Sequence, residues 1–257
     1  MSVRTLFAAS AALLMTTAAA NAAQVAALVG GDTIAMVDTV QKKATGSVKV
    51  TGISGALVGI DVRPADGMLY GLVDDGTVVT IAKDGKATVK SKLDTMLTKG
   101  VTATVDFNPV ADRLRVMGSD GMSLRANVDD GKVTKDGDHK YAETDMHKGE
   151  KPNVIAGAYT NSVKGTKETT LFNIDGTIGA LVKQAPPNDG ILGAVGKLGI
   201  KPTAAAFDIW SDGTKNEAWL MSGDTLYSVD LATGKATEAA KISGVTGKVT
   251  DIAIMGM

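Results

Sequence analysis

The chain of 257 residues has no cysteine and only two histidines, His139 and His147. The lack of cysteine excludes disulfides, thiol nucleophiles, iron–sulfur clusters and cysteine zinc sites. Without a G-x-S-x-G motif, and with so little histidine, a serine hydrolase triad is not expected. The two histidines are eight residues apart in the polar stretch DGDHKYAETDMHKGE, which is not a metal-binding spacing. We predict that both lie in a solvated loop.

Excess charge of either sign is also missing, because the formal net charge is −1. Nucleic acids and anionic lipid surfaces attract proteins through basic patches, so neither is an expected partner. Beyond the N-terminus no segment is long and apolar enough to insert into a membrane. A monomer that binds an unknown protein, glycan or small ligand remains the expectation.

Residues 1–22, MSVRTLFAASAALLMTTAAANA, have the pattern of a secretory signal peptide. One basic residue, Arg4, precedes a short apolar run, and small residues at Ala20 and Ala22 form a cleavage site. The run is too short and too rich in alanine to anchor the chain. We therefore expect cleavage, a mature domain over residues 23–257, and a location in the periplasm or outside the cell.

Long helical patterns are absent as well, whereas short alternating strands recur with glycine turns. A strand, a polar turn and a second strand that opens with a basic residue and ends at threonine occur four times. The copies are IAMVDTVQKKAT (34–45), VVTIAKDGKAT (78–88), LRANVDDGKVT (124–134) and LYSVDLATGKAT (226–237). The wide last gap predicts a degenerate copy, which we assign to LFNIDGTIGALV (171–182).

A second repeat has an aspartate inside an apolar strand. LVGIDVRP, ATVDFNP, AAFDIW and VTDIAI place Asp61, Asp106, Asp208 and Asp251 at matching positions, with spacings of 45, 102 and 43 residues. The double gap predicts a further copy near residue 157, where IAGAYTNS lacks the aspartate.

Repeats of 40 to 50 residues with four short strands are typical of β-propeller blades. The spacing predicts an all-β propeller with blades at 56–93, 102 to about 141, 153 to about 198 and 203 to about 243. Residues 25–53 and 248–255 would form a fifth blade, closed by pairing of the N- and C-terminal strands. A six-bladed ring with one irregular blade and a pair of β-sandwiches are the alternatives.

Several strings also resemble an exported bacterial family of unknown function. GIDVRPADGMLYGL, VDFNPVADRLRV, AGAYTNS, LFNID and QAPPNDGILGAVGKLG are similar to the family named domain of unknown function 4394. The resemblance implies one propeller-like domain outside the cytoplasm. It implies no activity and no functional residue.

The first strand of a blade borders the central channel, so the four repeated aspartates should approach one axis. The simplest interpretation is structural, with each carboxylate accepting hydrogen bonds from the loop of the next blade. Converging carboxylates could also bind a hard cation such as Ca²⁺. A suitably spaced pair could instead hydrolyse a glycan or an ester.

Side chains at the ends of the first strands are candidates for a ligand site at one channel mouth. We select Tyr159, Asn161, Trp210 and Arg63 for this role. Arg63 and Arg115 could pair with the channel carboxylates or lie over a strand face. PPNDG is predicted to be a rigid exposed turn.

Two functions follow from these patterns. The first is a non-enzymatic exported binding or scaffold protein, with a possible cation on its axis. The alternative is a carboxylate- or metal-dependent hydrolase that acts on a glycan or ester at the channel mouth. A fold of this kind does not distinguish them.

Overall fold

The computed structural model describes residues 23–202 and 204–256, and the predicted signal peptide lies outside them. Within these residues, five small antiparallel sheets form a ring, which confirms a five-bladed propeller. One short 3-10 turn at Pro187–Asp189 interrupts the strands. No helix of the described residues has the length and apolarity needed to cross a membrane.

The strands are numbered in chain order and grouped here by blade. Blade 1 contains β4 (Leu57–Val62), β5 (Leu69–Val73), β6 (Thr77–Ile81) and β7 (Ala87–Lys92). Blade 2 contains β8 (Ala103–Asn108), β9 (Arg113–Gly118), β10 (Ser123–Ala126) and β11 (Val133–Lys135). Blade 3 contains β13 (Val154–Tyr159), β14 (Leu171–Asp175), β15 (Ala180–Gln184) and β16 (Ile191–Lys197), with β12 (Lys140–Tyr141) added at its outer edge. Blade 4 contains β17 (Ala206–Ser211), β18 (Asn216–Ser222), β19 (Thr225–Val229) and β20 (Ala236–Lys241).

Blade 5 combines both ends of the described chain. Its first strand is β21 (Val249–Gly256), followed by β1 (Gln24–Val29), β2 (Thr33–Asp38) and β3 (Lys43–Lys49). Strand β21 pairs antiparallel with β1, and Gln24 lies opposite Gly256. The predicted closure by terminal strands is therefore confirmed, and it leaves no open seam in the ring.

The first strands β4, β8, β13, β17 and β21 contact one another around the axis. Their alternating side chains face the preceding and the following blade in turn, so that each seam between blades becomes an apolar core. Tyr70 of blade 1 and Phe107 of blade 2, for example, pack edge to face with 5.2 Å between ring centroids. Stacking of blades thus supplies the burial that no single small sheet could provide.

The turn between the third and fourth strands explains the first repeat. Gly85, Gly131 and Gly234 have φ between +76° and +82°, a conformation that glycine adopts at little cost. An aspartate that precedes the glycine accepts a hydrogen bond from a backbone N–H of the same turn. Asp84, for example, accepts one from Lys86 at 3.0 Å. In blade 5 the equivalent position is Lys42, with φ +56°.

Three sequence predictions were wrong in detail. LFNIDGTIGALV forms the second and third strands of blade 3 rather than the third and fourth, whose turn contains PPNDG. Tyr141 belongs to blade 3, because it pairs with Leu192. His139 is 7% exposed and not solvated, since its backbone N–H bonds to Gly121 and holds the segment against blade 2.

Candidate functional site

The four repeated aspartates lie on the axis and connect neighbouring blades. Each carboxylate accepts a hydrogen bond from a backbone N–H of the next first strand, rather than from a loop as the sequence suggested. The bonds run from Phe107 to Asp61 at 2.7 Å, from Tyr159 to Asp106 at 2.9 Å, from Ile254 to Asp208 at 2.6 Å and from Ile60 to Asp251 at 2.9 Å. Four of the five seams are therefore bridged near the axis.

A second set of bonds uses the remaining oxygen of three of these carboxylates. Asp61, Asp208 and Asp251 each accept the backbone N–H of the following residue, at 2.6, 2.6 and 3.0 Å. Asp106 differs, because only its Oδ1 accepts a hydrogen bond within the described residues. Its Oδ2 is the carboxylate oxygen of the ring that the backbone does not use.

Burial controls the protonation of this ring. The four aspartate residues are between 3% and 7% exposed. Burial raises the pKa of Asp208 to about 6, and it raises the pKa of Asp61, Asp106 and Asp251 well above the usual range. The negative charges of neighbouring ring members raise the pKa of Asp61 and Asp106 further.

Three carboxylates of the ring converge on one point. One oxygen each from Asp61, Asp106 and Asp208 lies within 4.8 Å of the others. Among the described residues, no lysine or arginine forms an ion pair with them. Like charges this close, without a counter-ion, favour retained protons or a bound cation.

Blade 3 lacks the axial aspartate, and Ala158 stands in its place. The backbone N–H of the next residue, Tyr159, donates to Asp106, just as the N–H of Phe107, the residue after Asp106, donates to Asp61. At the mouth of the channel, Asn161 and Asn216 instead tie blade 3 to blade 4 by reciprocal bonds of 2.7 and 2.9 Å. Asn161 has φ +57°, a conformation that asparagine tolerates better than most residues.

Arg63 links blades 1 and 2 rather than pairing with the axial carboxylates. Its guanidinium bonds to both oxygens of Asp112, at 2.8 and 2.6 Å, and to both of Asp129, at 3.2 and 2.9 Å. It also bonds to the Tyr70 hydroxyl. Asp112 and Asp129 lie in separate turns, and no pattern in the sequence indicated that they would meet.

Arg115 is fully buried in the seam between blades 2 and 3. Asp136 is its ion-pair partner, and its Nε donates to the Tyr159 hydroxyl at 3.1 Å. Its other partners are Ser123, at 3.0 Å, and Asn188 of the PPNDG turn, at 2.8 Å. Tyr159 is only 1% exposed and supports the seam. The ligand-binding role proposed from sequence for Tyr159, Asn161, Trp210 and Arg63 stays a prediction.

A separate cleft lies between blades 5 and 1. Its volume is about 860 Å³, and its lining extends from β21 and β1 near the axis to β3 and the β6–β7 turn outside. The apolar lining includes Ile34, Met36, Val48, Met68, Leu69, Ile81, Ala82 and Met255. Met255 and Met68 lie where first strands end, so the cleft reaches the same mouth as Asn161 and Trp210. Sequence analysis missed this site, because its walls come from distant segments with ordinary strand patterns.

Comparison with known proteins identifies the family. Residues 33–253 match the family described as "Domain of unknown function (DUF4394)". The chain belongs to this family. The sequence resemblance is thus confirmed, and no curated protein matches the chain.

Solved structures support the fold alone. A protein of unknown function from Bacteroides thetaiotaomicron VPI-5482 is 17% identical, with a TM-score of 0.55, and the match covers 93% of this chain and 66% of that protein. An auxiliary nutrient binding protein from Bacteroides ovatus ATCC 8483 is 10% identical, with a TM-score of 0.50, and the match covers 87% of this chain and 57% of that protein. The chain thus spans less than two thirds of both proteins.

Proposed function

We propose that this propeller is an exported, non-enzymatic binding protein whose ligand occupies the cleft between blades 5 and 1. The supporting observation is the cleft itself, because apolar concavities of about 300 to 1,000 Å³ are the usual form of small-molecule sites. A rigid ring of stacked blades can hold such a surface without a lid. The nutrient-binding protein from Bacteroides ovatus gives this role a precedent in a similar fold.

The axial ring suits a structural role better than a catalytic one. A hydrolase would require a substrate to reach a carboxylate pair, whereas all four aspartates are buried and accept backbone bonds across the seams. Their periodic placement also matches the blades rather than one local site. The hydrolase alternative is therefore the weaker proposal.

Calcium on the axis stays a prediction. Oxygens that share one Ca²⁺ ion at 2.3 to 2.6 Å can be up to about 5 Å apart, and the three converging oxygens lie within 4.8 Å of one another. Thermal melting with EDTA or with added Ca²⁺ tests it, because a native-state ligand raises the melting temperature. An unchanged melting temperature would contradict the prediction that Ca²⁺ binds on the axis.

Export rests on residues 1–22 and is tested by fractionation. Expression with and without this segment, followed by mass measurement of the product, should give a chain that begins near Ala23 outside the cytoplasm. Retention of the full N-terminus in the cytoplasm would contradict the proposal.

A cavity-filling substitution tests the cleft. Gly46 lines it, and an added Cβ there would meet nothing within 4 Å. Because Gly46 pairs with Met36 across the strands, a side chain at this position would point into the cleft. Gly46→Phe should therefore block the cleft without straining the backbone.

Binding of the neutral apolar dye Nile red provides the measurement, followed by fluorescence. Wild type should bind the dye, and Gly46→Phe should bind it roughly tenfold or more weakly. Gly193→Phe is the matched control, since Gly193 is also a strand glycine with open space beside it and lies in blade 3. Absence of dye binding by wild type, or equal binding by Gly46→Phe, would contradict the proposal.

A further inference from the structure

The charge around the cleft is one-sided. Lys83 and Lys86 line its outer end, and none of the described residues that line it is acidic. Neither lysine has a carboxylate ion-pair partner within the described residues. Asp84, which lies between them in sequence, accepts the backbone N–H of Lys86 and does not line the cleft.

The shape of the cleft is elongated. Its lining includes residues from all four strands of blade 5, from Met255 on β21 to Val48 on β3. Three gaps between neighbouring strands span about 14 Å. The inner end carries Met68 and Met255, whose flexible thioether side chains adapt to apolar ligands. The two lysines occupy the opposite end, on the turn between β6 and β7.

An apolar trench with a cationic end matches a molecule that has the opposite arrangement. Resting on the proposed binding function, we infer that the ligand is a single-chain amphiphile with an anionic head, of the fatty carboxylate class. The head lies near Lys83 and Lys86, and the chain extends toward Met68 and Met255. The polar lining at Ser47 and Thr88 adds hydroxyl donors for the head group, whereas the Thr45 hydroxyl donates to the Met36 carbonyl.

Titration calorimetry with three ligands of equal chain length tests this assignment. Dodecanoate should bind more tightly than dodecanol, and dodecylamine should bind most weakly, because only the anion gains from the lysines. Each ligand is used below its solubility limit, and dodecanoate and dodecylamine are also used below their micelle-forming concentrations. Gly46→Phe should weaken dodecanoate binding by roughly tenfold or more, whereas Gly193→Phe should leave it unchanged.

Charge reversal isolates the head-group contact. The double variant Lys83→Glu with Lys86→Glu should weaken dodecanoate binding roughly tenfold and leave dodecanol binding unchanged. Lys90→Glu on β7 is not a suitable control, since Lys90 pairs with Asp129. Lys132→Glu in the equivalent turn of blade 2 is the matched control, and it should have no effect on either ligand.

The outcomes separate the two proposals. If dodecanoate and dodecanol bind with equal affinity, or if the charge reversal has no effect on dodecanoate binding, the assignment of an anionic ligand is wrong. The cleft remains the binding site in that case, provided that Nile red binds to it. If wild type binds neither Nile red nor any of the three amphiphiles, both proposals are overturned. If Gly46→Phe does not weaken binding of Nile red or dodecanoate, the ligand binds outside the cleft, and both proposals are overturned as well.

Discussion

Asp106 differs from the other three axial aspartates at the scale of single atoms. Asp61, Asp208 and Asp251 use both carboxylate oxygens as acceptors for backbone N–H groups, whereas Asp106 uses only Oδ1. An asparagine keeps one acceptor oxygen and loses the charge. It can therefore replace Asp106 without loss of the seam bond, but it cannot replace Asp61 in the same way.

Asp106→Asn and Asp61→Asn form a matched pair for this difference. At pH 7.5, Asp106→Asn should match or exceed the wild-type free energy of unfolding, because it keeps the seam bond and removes a buried carboxyl group from among others of the same kind. Asp61→Asn should lose about 1 to 3 kcal/mol, since one backbone N–H loses its acceptor. Urea unfolding measures both. Equal destabilisation by the two changes would contradict the assignment of acceptors.

The buried ring also predicts an unusual dependence of stability on pH. The pKa of Asp208 is about 6 in the folded chain, against about 3.9 in an unfolded one. Between these values the folded state holds a proton that the unfolded state has released, so stability falls as pH rises and the loss is complete above pH 6. A shift of this size corresponds to a loss on the order of a few kcal/mol, shared among the interacting carboxylates of the ring.

Urea unfolding at pH 4.5 and pH 7.5, in the presence of EDTA, should show a more unfavourable change of stability with rising pH for wild type than for Asp208→Asn. The comparison is needed because buried His139, whose pKa is lowered to about 4, makes an opposite contribution that both proteins share. An equal change in the two proteins would show that Asp208 is not held in protonated form. Repetition with Ca²⁺ at pH 7.5 distinguishes protons from a cation, since a bound cation would restore the lost stability.

Residue roles were predictable from sequence only where they repeat. The matching positions of Asp61, Asp106, Asp208 and Asp251 identified the axis and favoured a structural role, and the seam bonds agree with that. His139 was misjudged because its polar neighbours suggested solvent, whereas burial lowers its pKa to about 4. The contacts of Arg63 come from turns far apart in sequence, which no local pattern records.

At the scale of the strand pair, the third turn of each blade shows how the repeat specifies structure. Three blades place glycine at the left-handed position of this turn, and blade 5 places Lys42 there with φ +56°. A side chain costs about 1 kcal/mol or more in this conformation. The chain tolerates the lysine because the neighbouring backbone of Ser243 bonds to its carbonyl at 3.1 Å.

Lys42→Gly should therefore stabilise the protein by about 0.5 to 1 kcal/mol, since glycine adopts the left-handed conformation without strain. Lys43→Gly is the control, because Lys43 begins strand β3 and glycine weakens a strand. Melting temperatures should rise for the first variant and fall for the second. A decrease for Lys42→Gly would show that the lysine side chain itself stabilises the turn.

Blade 3 marks the limit of prediction at this scale. Its third turn contains PPNDG in place of the usual aspartate–glycine pattern, so the repeat was aligned one strand too early. The structure explains the exception, because Asn188 of this turn is needed as a partner for the buried Arg115. Because this turn also contacts the neighbouring blade, it lacks the aspartate–glycine pattern by which the third turn of the other blades is recognised.

For the whole molecule, closure of the ring is the feature that the spacing of repeats predicted best. Strand β21 supplies the first strand of blade 5 and carries Asp251, which bonds to blade 1. A chain that ends at Lys248 would lose both the strand and the bond. It should show no cooperative thermal unfolding, as measured by circular dichroism.

A circular permutant is the matched control for this truncation. Gln24 lies opposite Gly256, so a short linker can join the two ends, with new termini between Lys99 and Gly100 in the exposed β7–β8 connection. This permutant keeps every strand and should unfold cooperatively. Cooperative unfolding of the truncated chain would contradict the closure of the ring by β21.

The claim that the blade 5–blade 1 cleft binds the ligand is tested most directly by NMR of methionine methyl groups. Met36, Met68 and Met255 line the cleft, whereas Met117 is buried in another seam and Met146 is 85% exposed on blade 3. Titration of labelled protein with dodecanoate should shift the signals of the three cleft methionines and leave Met117 and Met146 in place. Shifts at Met146 or Met117 without shifts in the cleft would contradict the account.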